Sequence, residues 1–129
     1  MTNTIILLLV SDPLVRSVLG ETLDSAGYTV LASGDLGQAV ERLKACKPDL
    51  LITRTYVQSM PGHEAAKYLR GKCPGLRVLM LGGLLDDERL KHREELQGFD
   101  VFPKPYSVAE LLHKVKEVLS KPRGRTAVG

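Results

Sequence analysis

Tryptophan is absent from this 129-residue chain and aromatic residues make up only 5% of it, too few for the stacking platform that holds single-stranded nucleic acid. Cysteine is scarce as well. Cys46 and Cys73 stand far apart with no paired spacing, which excludes a disulfide framework and leads us to expect a reduced, cytoplasmic protein. Long hydrophobic runs are missing: the longest uncharged apolar stretch, Ile5 to Val10, is six residues, too short for a membrane span or a signal-peptide core. Acid is missing from the last nine residues, which carry Lys121, Arg123 and Arg125. The formal charge of +3 belongs to that stretch, and residues 1–120 balance at 15 basic and 15 acidic side chains. The charge therefore gives the body of the chain no reason to seek a polyanion. One domain over 1–120 is expected, followed by a flexible basic tail or linker over 121–129.

What is present is an alternation of short apolar runs and amphipathic helical stretches, the pattern of β-α units on a parallel sheet. Ile5 to Val10 reads as a strand covered on both faces. Ser11-Asp12-Pro13 reads as a helix start, Val15, Val18, Leu19, Thr22 and Ala26 as that helix's inner stripe, and Gly27 as its end. Tyr28 to Leu31 is a second strand, and Leu36, Ala39, Val40 and Leu43 mark a second helix. Leu50-Leu51-Ile52 opens a third strand, 54–61 a loop, and Ala65, Ala66 and Leu69 a third helix ending near Lys72. Val78 to Leu81 is the fourth strand, broken by Gly82-Gly83. Asp86, Asp87 and Glu88 favour the start of a fourth helix running to about Gln97. Val101-Phe102 is a fifth strand, and the capping box Ser107 to Glu110 opens a last helix with Leu111, Leu112, Val115, Val118 and Leu119 inward. These units predict a doubly wound α/β/α sandwich on a five-stranded parallel sheet, flavodoxin-like, with its site at the strands' C-terminal ends.

Those ends hold little enzymatic chemistry. Ser11-Asp12-Pro13-Leu14 has no glycine, so neither a phosphate-cradling loop nor a dinucleotide fingerprint follows the first strand. His63, His92 and His113 stand singly, without a second ligand at helical spacing, and read as surface or half-buried residues. Ser59 and Cys73 lie in no nucleophile motif.

The stretches Leu9 to Arg16, Pro48 to Thr53, Gly62-His63-Glu64, Val78 to Leu81 and Pro103-Lys104-Pro105-Tyr106, with the capping box behind them, together resemble the receiver domain of bacterial response regulators. The resemblance covers about residues 4–120. It implies two acids after the first strand for Mg²⁺, an aspartate ending the third strand as phosphoryl acceptor, a Thr or Ser ending the fourth, and a Lys before Pro after the fifth. Phosphoryl transfer needs such a set, because cations must neutralise developing charge and an oxygen must receive the group. Matched on the helix start, this chain has Val10 and Ser11 at the metal positions, with Asp12 one residue beyond. Six residues on from Pro48 stands Arg54 in the acceptor position, and Gly82 takes the hydroxyl position. Only Lys104, followed by Pro105, survives.

The resemblance thus implies a degenerate receiver: no enzyme, no cofactor, no bound metal, and no phosphate accepted on aspartate. It would act by protein contact in a two-component or phosphorelay pathway. Its implied partners are a histidine kinase, a phosphotransfer protein, an effector domain or a second copy, with no nucleic-acid contact and no membrane. The implied partner surface is the face of the fourth helix, fifth strand and last helix, with Leu85, Leu90, Lys91 and Tyr106. Two other readings stay open: an orthodox phosphorylatable receiver, and a flavodoxin-like ligand-binding protein or enzyme. Arg54 also has two readings, one paired with Asp12 across the vacated pocket and one as a solvated loop side chain.

Overall fold

The computed structural model describes residues 4–54, 56–57, 60–81, 100–102 and 107–120. Strands β1 (Ile5–Leu9), β2 (Thr29–Ser33), β3 (Leu50–Arg54), β4 (Arg77–Leu81) and β5 (Asp100–Phe102) form one parallel sheet in the order β2-β1-β3-β4-β5. Helices α1 (Pro13–Ser25), α2 (Leu36–Ala45), α3 (Gly62–Lys72) and α4 (Val108–Leu119) complete the described architecture. None of them is long and apolar enough to cross a membrane.

Side-chain alternation along the strands divides the interior in two. Ile6, Leu8, Val10, Leu50, Ile52, Leu79 and Leu81 meet Leu19 and Leu23 of α1 and Leu111, Val115 and Val118 of α4. Leu7, Leu9, Leu51, Val78 and Met80 meet Ala39 of α2 and Ala65, Ala66 and Leu69 of α3. A strand buried on both faces needs apolar residues without alternation, and that is what the run at Ile5 to Val10 encodes. The register is fixed by the same fact, since a slip of one residue would exchange the two faces of every strand. It is also fixed at the base of the sheet. There Ile5 N donates to Asp49 Oδ2 at 2.9 Å while Asp49 N donates to Ile5 O at 2.7 Å, tying the start of β1 to the residue before β3.

Local chemistry sets the helix ends. Asp35 Oδ1 accepts from Gln38 N and caps α2, and Ser107 and Glu110 exchange side-chain-to-backbone hydrogen bonds at 3.1 and 2.8 Å as the predicted box at the start of α4. After α1 the chain turns through Gly27 at φ 100°, a conformation that favours glycine.

The structure revises several expectations. Strand β1 closes at Leu9, and β2 starts at Thr29 and runs on to Ser33. The stretch expected to be a plain loop over 54–61 contains a short antiparallel pairing of Tyr56–Val57 with Met60–Pro61. Of the predicted inner stripe of α1, Leu19 is buried and Val15 packs half-buried against the core, and Leu23, outside that stripe, is fully buried. Val18 is 54% exposed and Ala26 is an exposed cap residue, because the sheet lies beneath the 19/23 line while 14, 18 and 22 run along the helix flank facing α4. His63, expected at the surface or half-buried, is buried at 7% exposure in the first turn of α3, while His113 is exposed, within its expectation. The predicted helix over 86–97 and His92 lie outside the described residues.

Candidate functional site

The C-terminal ends of β1 and β3 bring four of the sequence-predicted site residues together. Val10 extends the β1 ladder by donating from N to Ser33 O at 3.1 Å, and its side chain is fully buried in the leucine core shared with α1 and α4. One residue beyond the Leu9–Thr53 pair, it is level with Arg54, which in turn pairs with Leu81 of β4. Arg54 ends β3 half-buried, and alternation places it on the sheet face of Leu50 and Ile52. Thr53 before it is fully buried on the other face and donates from Oγ1 to Arg54 O at 3.3 Å.

Asp12 is the N-cap of α1. Its Oδ1 accepts from Leu14 N at 2.9 Å and Val15 N at 3.3 Å, and Pro13 follows at the first helical position, where no amide hydrogen is needed. Of the two readings of Arg54, the pair with Asp12 is not made among the described residues, where the Asp12 carboxylate is held by the amides of its own helix. Asp12→Ala is therefore expected to lower stability by about 1 kcal/mol through loss of a cap, read as a fall in urea midpoint. An equal loss with Arg54→Ala in place would confirm that the two side chains act independently.

The sequence reading missed Arg16. From the first turn of α1 its Nη1 donates to Val10 O at 2.8 Å and more weakly to Ser11 O at 3.4 Å, so a guanidinium covers the carbonyls of the β1–α1 connection. A Cβ on Gly34 would lie 2.7 Å from the same Nη1, so glycine at that position leaves room for the arginine. Gly34 N donates to Gln38 Oε1 at 2.6 Å, which folds the β2–α2 turn against it. The available signal was the spacing: Arg16 lies one helical turn after Asp12, and only a long donor reaches back to strand-end carbonyls from there.

The site thus presents hydrocarbon at Val10, a hydroxyl at half-buried Ser11, a carboxylate consumed by a helix cap at Asp12, and guanidinium groups at Arg16 and Arg54. Mg²⁺ takes carboxylate and water oxygens in octahedral array, and this donor set does not fit it. Among the described residues there is no group of three or more His, Cys, Asp or Glu placed to hold a metal ion. Gly82, Lys104 and Pro105, and the implied partner residues Leu85, Leu90, Lys91 and Tyr106, lie outside the described residues.

A β2-β1-β3-β4-β5 parallel sheet with helices on both faces and a site at its C-terminal rim defines the CheY-like class of flavodoxin-type folds. The response regulator receiver domain profile matches residues 6–116, and the chain belongs to that family. Among solved structures, the chemotaxis protein CheY4 of Vibrio cholerae superposes with a TM-score of 0.80 at 22% identity, covering 91% of this chain and 99% of that one. TrrA of Thermotoga maritima, solved with Mg²⁺-BeF, gives 0.74 at 22% identity over 89% and 98%. Curated relatives include the response regulator MprA of Mycobacterium tuberculosis, 28% identical over 95% of this chain and 53% of its own length. Another is the alkaline phosphatase synthesis regulator PhoP of Bacillus subtilis, 27% identical over 92% and 50%. The chain spans about half the length of these relatives.

Proposed function

We propose that this receiver domain works without an aspartyl phosphate, as a protein-contact module of a two-component or phosphorelay pathway in the cytoplasm. One observation carries the reading: Arg54 is the terminal residue of β3, level with Val10 and Leu81 at the rim where a receiver's acceptor carboxylate belongs. A guanidinium has no oxygen to receive a phosphoryl group. The neighbouring groups support the same reading, since neither Val10 nor Ser11 supplies a carboxylate for the ion that would neutralise a transferring group. The domain occupies residues 1–120, and 121–129 serve as its tail or linker. Its partners are a histidine kinase, a phosphotransfer protein or an effector domain, and it contacts neither nucleic acid nor membrane.

The test is incubation of the chain with a small-molecule phosphodonor and Mg²⁺ followed by intact mass measurement. No added phosphoryl mass is expected. A phosphoryl adduct released by hydroxylamine would be an acyl phosphate and would overturn the reading in favour of an orthodox receiver.

A further inference from the structure

Residues 1–120 are neutral only as a whole. Residues 36–77 hold eight basic and three acidic side chains, a formal +5, whereas 4–35 hold one and four and 78–120 hold six and eight. The positive segment supplies α2, β3, α3 and the start of β4, and its two helices pack together on one face of the sheet. Cations in a helix's last turn answer the dipole of that helix, which accounts for Arg42, Lys44, Arg70 and Lys72. It does not account for the rest of the outer face of α3.

That face is a line of Glu64, Tyr68 and Gly71, spaced four and three residues apart, with Lys67 on one side of it and Lys72 on the other, all five exposed. Tyr68 is 50% exposed, and the Lys72 ammonium lies 5.1 Å over its ring. Neither lysine makes an ion pair among the described residues. Glycine weakens an exposed helix relative to alanine, yet Gly71 has no positive φ and a Cβ there would meet nothing in the chain. The fold itself gains nothing from bare backbone at this point. What the glycine leaves is a step one turn beyond the Tyr68 ring, open to a side chain from outside.

An aromatic ring beside a step, with a cation on each flank, is complementary to an apolar side chain set between carboxylates. A polyanion fits less well. On this flank the exposed cations held by no carboxylate or carbonyl among the described residues are Lys47, Lys67 and Lys72, against the roughly 6–10 phosphate contacts of a strong nucleic-acid site. Glu64 also stands in the line and repels an evenly charged polymer, whereas a protein segment can set a basic residue there.

We infer that the outer face of α3 docks an acidic amphipathic segment of a protein partner, its carboxylates meeting Lys67 and Lys72 and its apolar side chain resting on Tyr68 above Gly71. The inference rests on the protein-contact reading of this domain and not on the fate of position 54, since none of these side chains belongs to the strand-end site.

The probe is a synthetic peptide of about 15 residues with leucine along one helical face and glutamate on both flanks of it, titrated to about 1 mM into the isotope-labelled chain and followed by amide NMR shifts. The shifts are expected to concentrate in 64–72, and binding to weaken severalfold between about 0.05 and about 0.5 M salt. Lys67→Glu and Lys72→Glu should each weaken it about threefold or more with the thermal midpoint nearly unchanged, and together should turn the preference toward a lysine-flanked peptide. Gly71→Gln should raise the thermal midpoint and yet weaken peptide binding, a combination that a purely structural glycine does not give. Shifts that are absent at the highest concentration or spread evenly over the chain would overturn the inference, as would a Gly71→Gln chain that binds as tightly as the parent. Duplex DNA or phosphatidylserine vesicles binding more tightly than the peptide through the same lysines would overturn it in favour of a polyanion site. The titration contains no phosphodonor, so an acyl phosphate detected by intact mass would defeat the reading of position 54 and leave this one standing.

Discussion

Val10→Asp is expected to destabilise the domain by about 3 kcal/mol or more at pH 7, and by much less at pH 4. The substitution restores an acid near the strand-end site, but Val10 is fully buried and packed with Leu8, Ile52 and Leu81 in the core under α1 and α4. Ionised there, a carboxylate would lose its hydration in the leucine core; Arg16 is already engaged with the carbonyls of Val10 and Ser11, and Arg54, level with position 10 on the same sheet face, is half-buried at the rim and offsets only part of that loss. The new carboxyl therefore has a raised pKa in the folded state. Below the unfolded value of about 3.9 both states hold the proton and no ionisation penalty arises. As pH climbs past that value the unfolded chain ionises first, and stability falls until the folded-state pKa is reached. Urea unfolding of variant and parent at both pH values measures the difference. A pH-independent loss would mean that the site accommodates an ionised acid, and that Val10 sits closer to solvent than its packing indicates.

Leu8→Ala is expected to lower stability by about 3 kcal/mol, within the usual span of ~2–5 for a buried leucine. Leu8 is fully buried in the middle of β1, paired with Ala32 of β2 and Ile52 of β3. Its Cδ2 lies under α1 where the helix carries Gly20: a Cβ at that glycine would stand 3.9 Å away, in ordinary contact. The wall above the truncated side chain is thus backbone, which cannot collapse into the space as a flexible side chain would, so the cavity term persists. The carbonyl of Leu8 also accepts from Ser33 Oγ at 3.0 Å, which holds the strand in place around the defect. The midpoint of urea unfolding should fall with the slope unchanged. Leu14→Ala, on a side chain that is mostly exposed, should shift stability by no more than about 0.5 kcal/mol. Comparable losses from the two would refute the assignment of Leu8 to the core and Leu14 to the surface.

The sequence made the scaffold readable because periodicity, caps and strand burial all spoke for one arrangement. Ile5 to Val10, the Asp12-Pro13 helix start, Gly27 and the Ser107–Glu110 box each carry a local physical preference that the fold keeps. What escaped depends on tertiary direction. The stripe of α1 follows helical spacing on either of two adjacent lines, and only the placement of the sheet and α4 selects Leu19 and Leu23 over Val18. His63 is buried because the first turn of α3 faces inward, which no local signal announces. Arg54 was legible as a strand-end residue and Asp12 as a helix cap, but whether the two also pair was not. A capping aspartate keeps a second oxygen that sequence cannot assign, and only the direction taken by Arg54 in the fold decides.

The exchange between Ile5 and Asp49 at the base of the sheet bears on how the chain assembles. It closes a loop of 44 residues, whereas the pairing of Ile5 with Thr29 closes one of 24. Closure entropy grows only with the logarithm of loop length, so the longer loop costs about 0.5 kcal/mol more than the shorter. One of the two hydrogen bonds at Asp49 is enough to offset that difference. Strand β1 therefore meets its distant neighbour and its sequential neighbour on nearly equal terms, and the sheet can grow outward from β1 in either direction instead of being laid down in chain order.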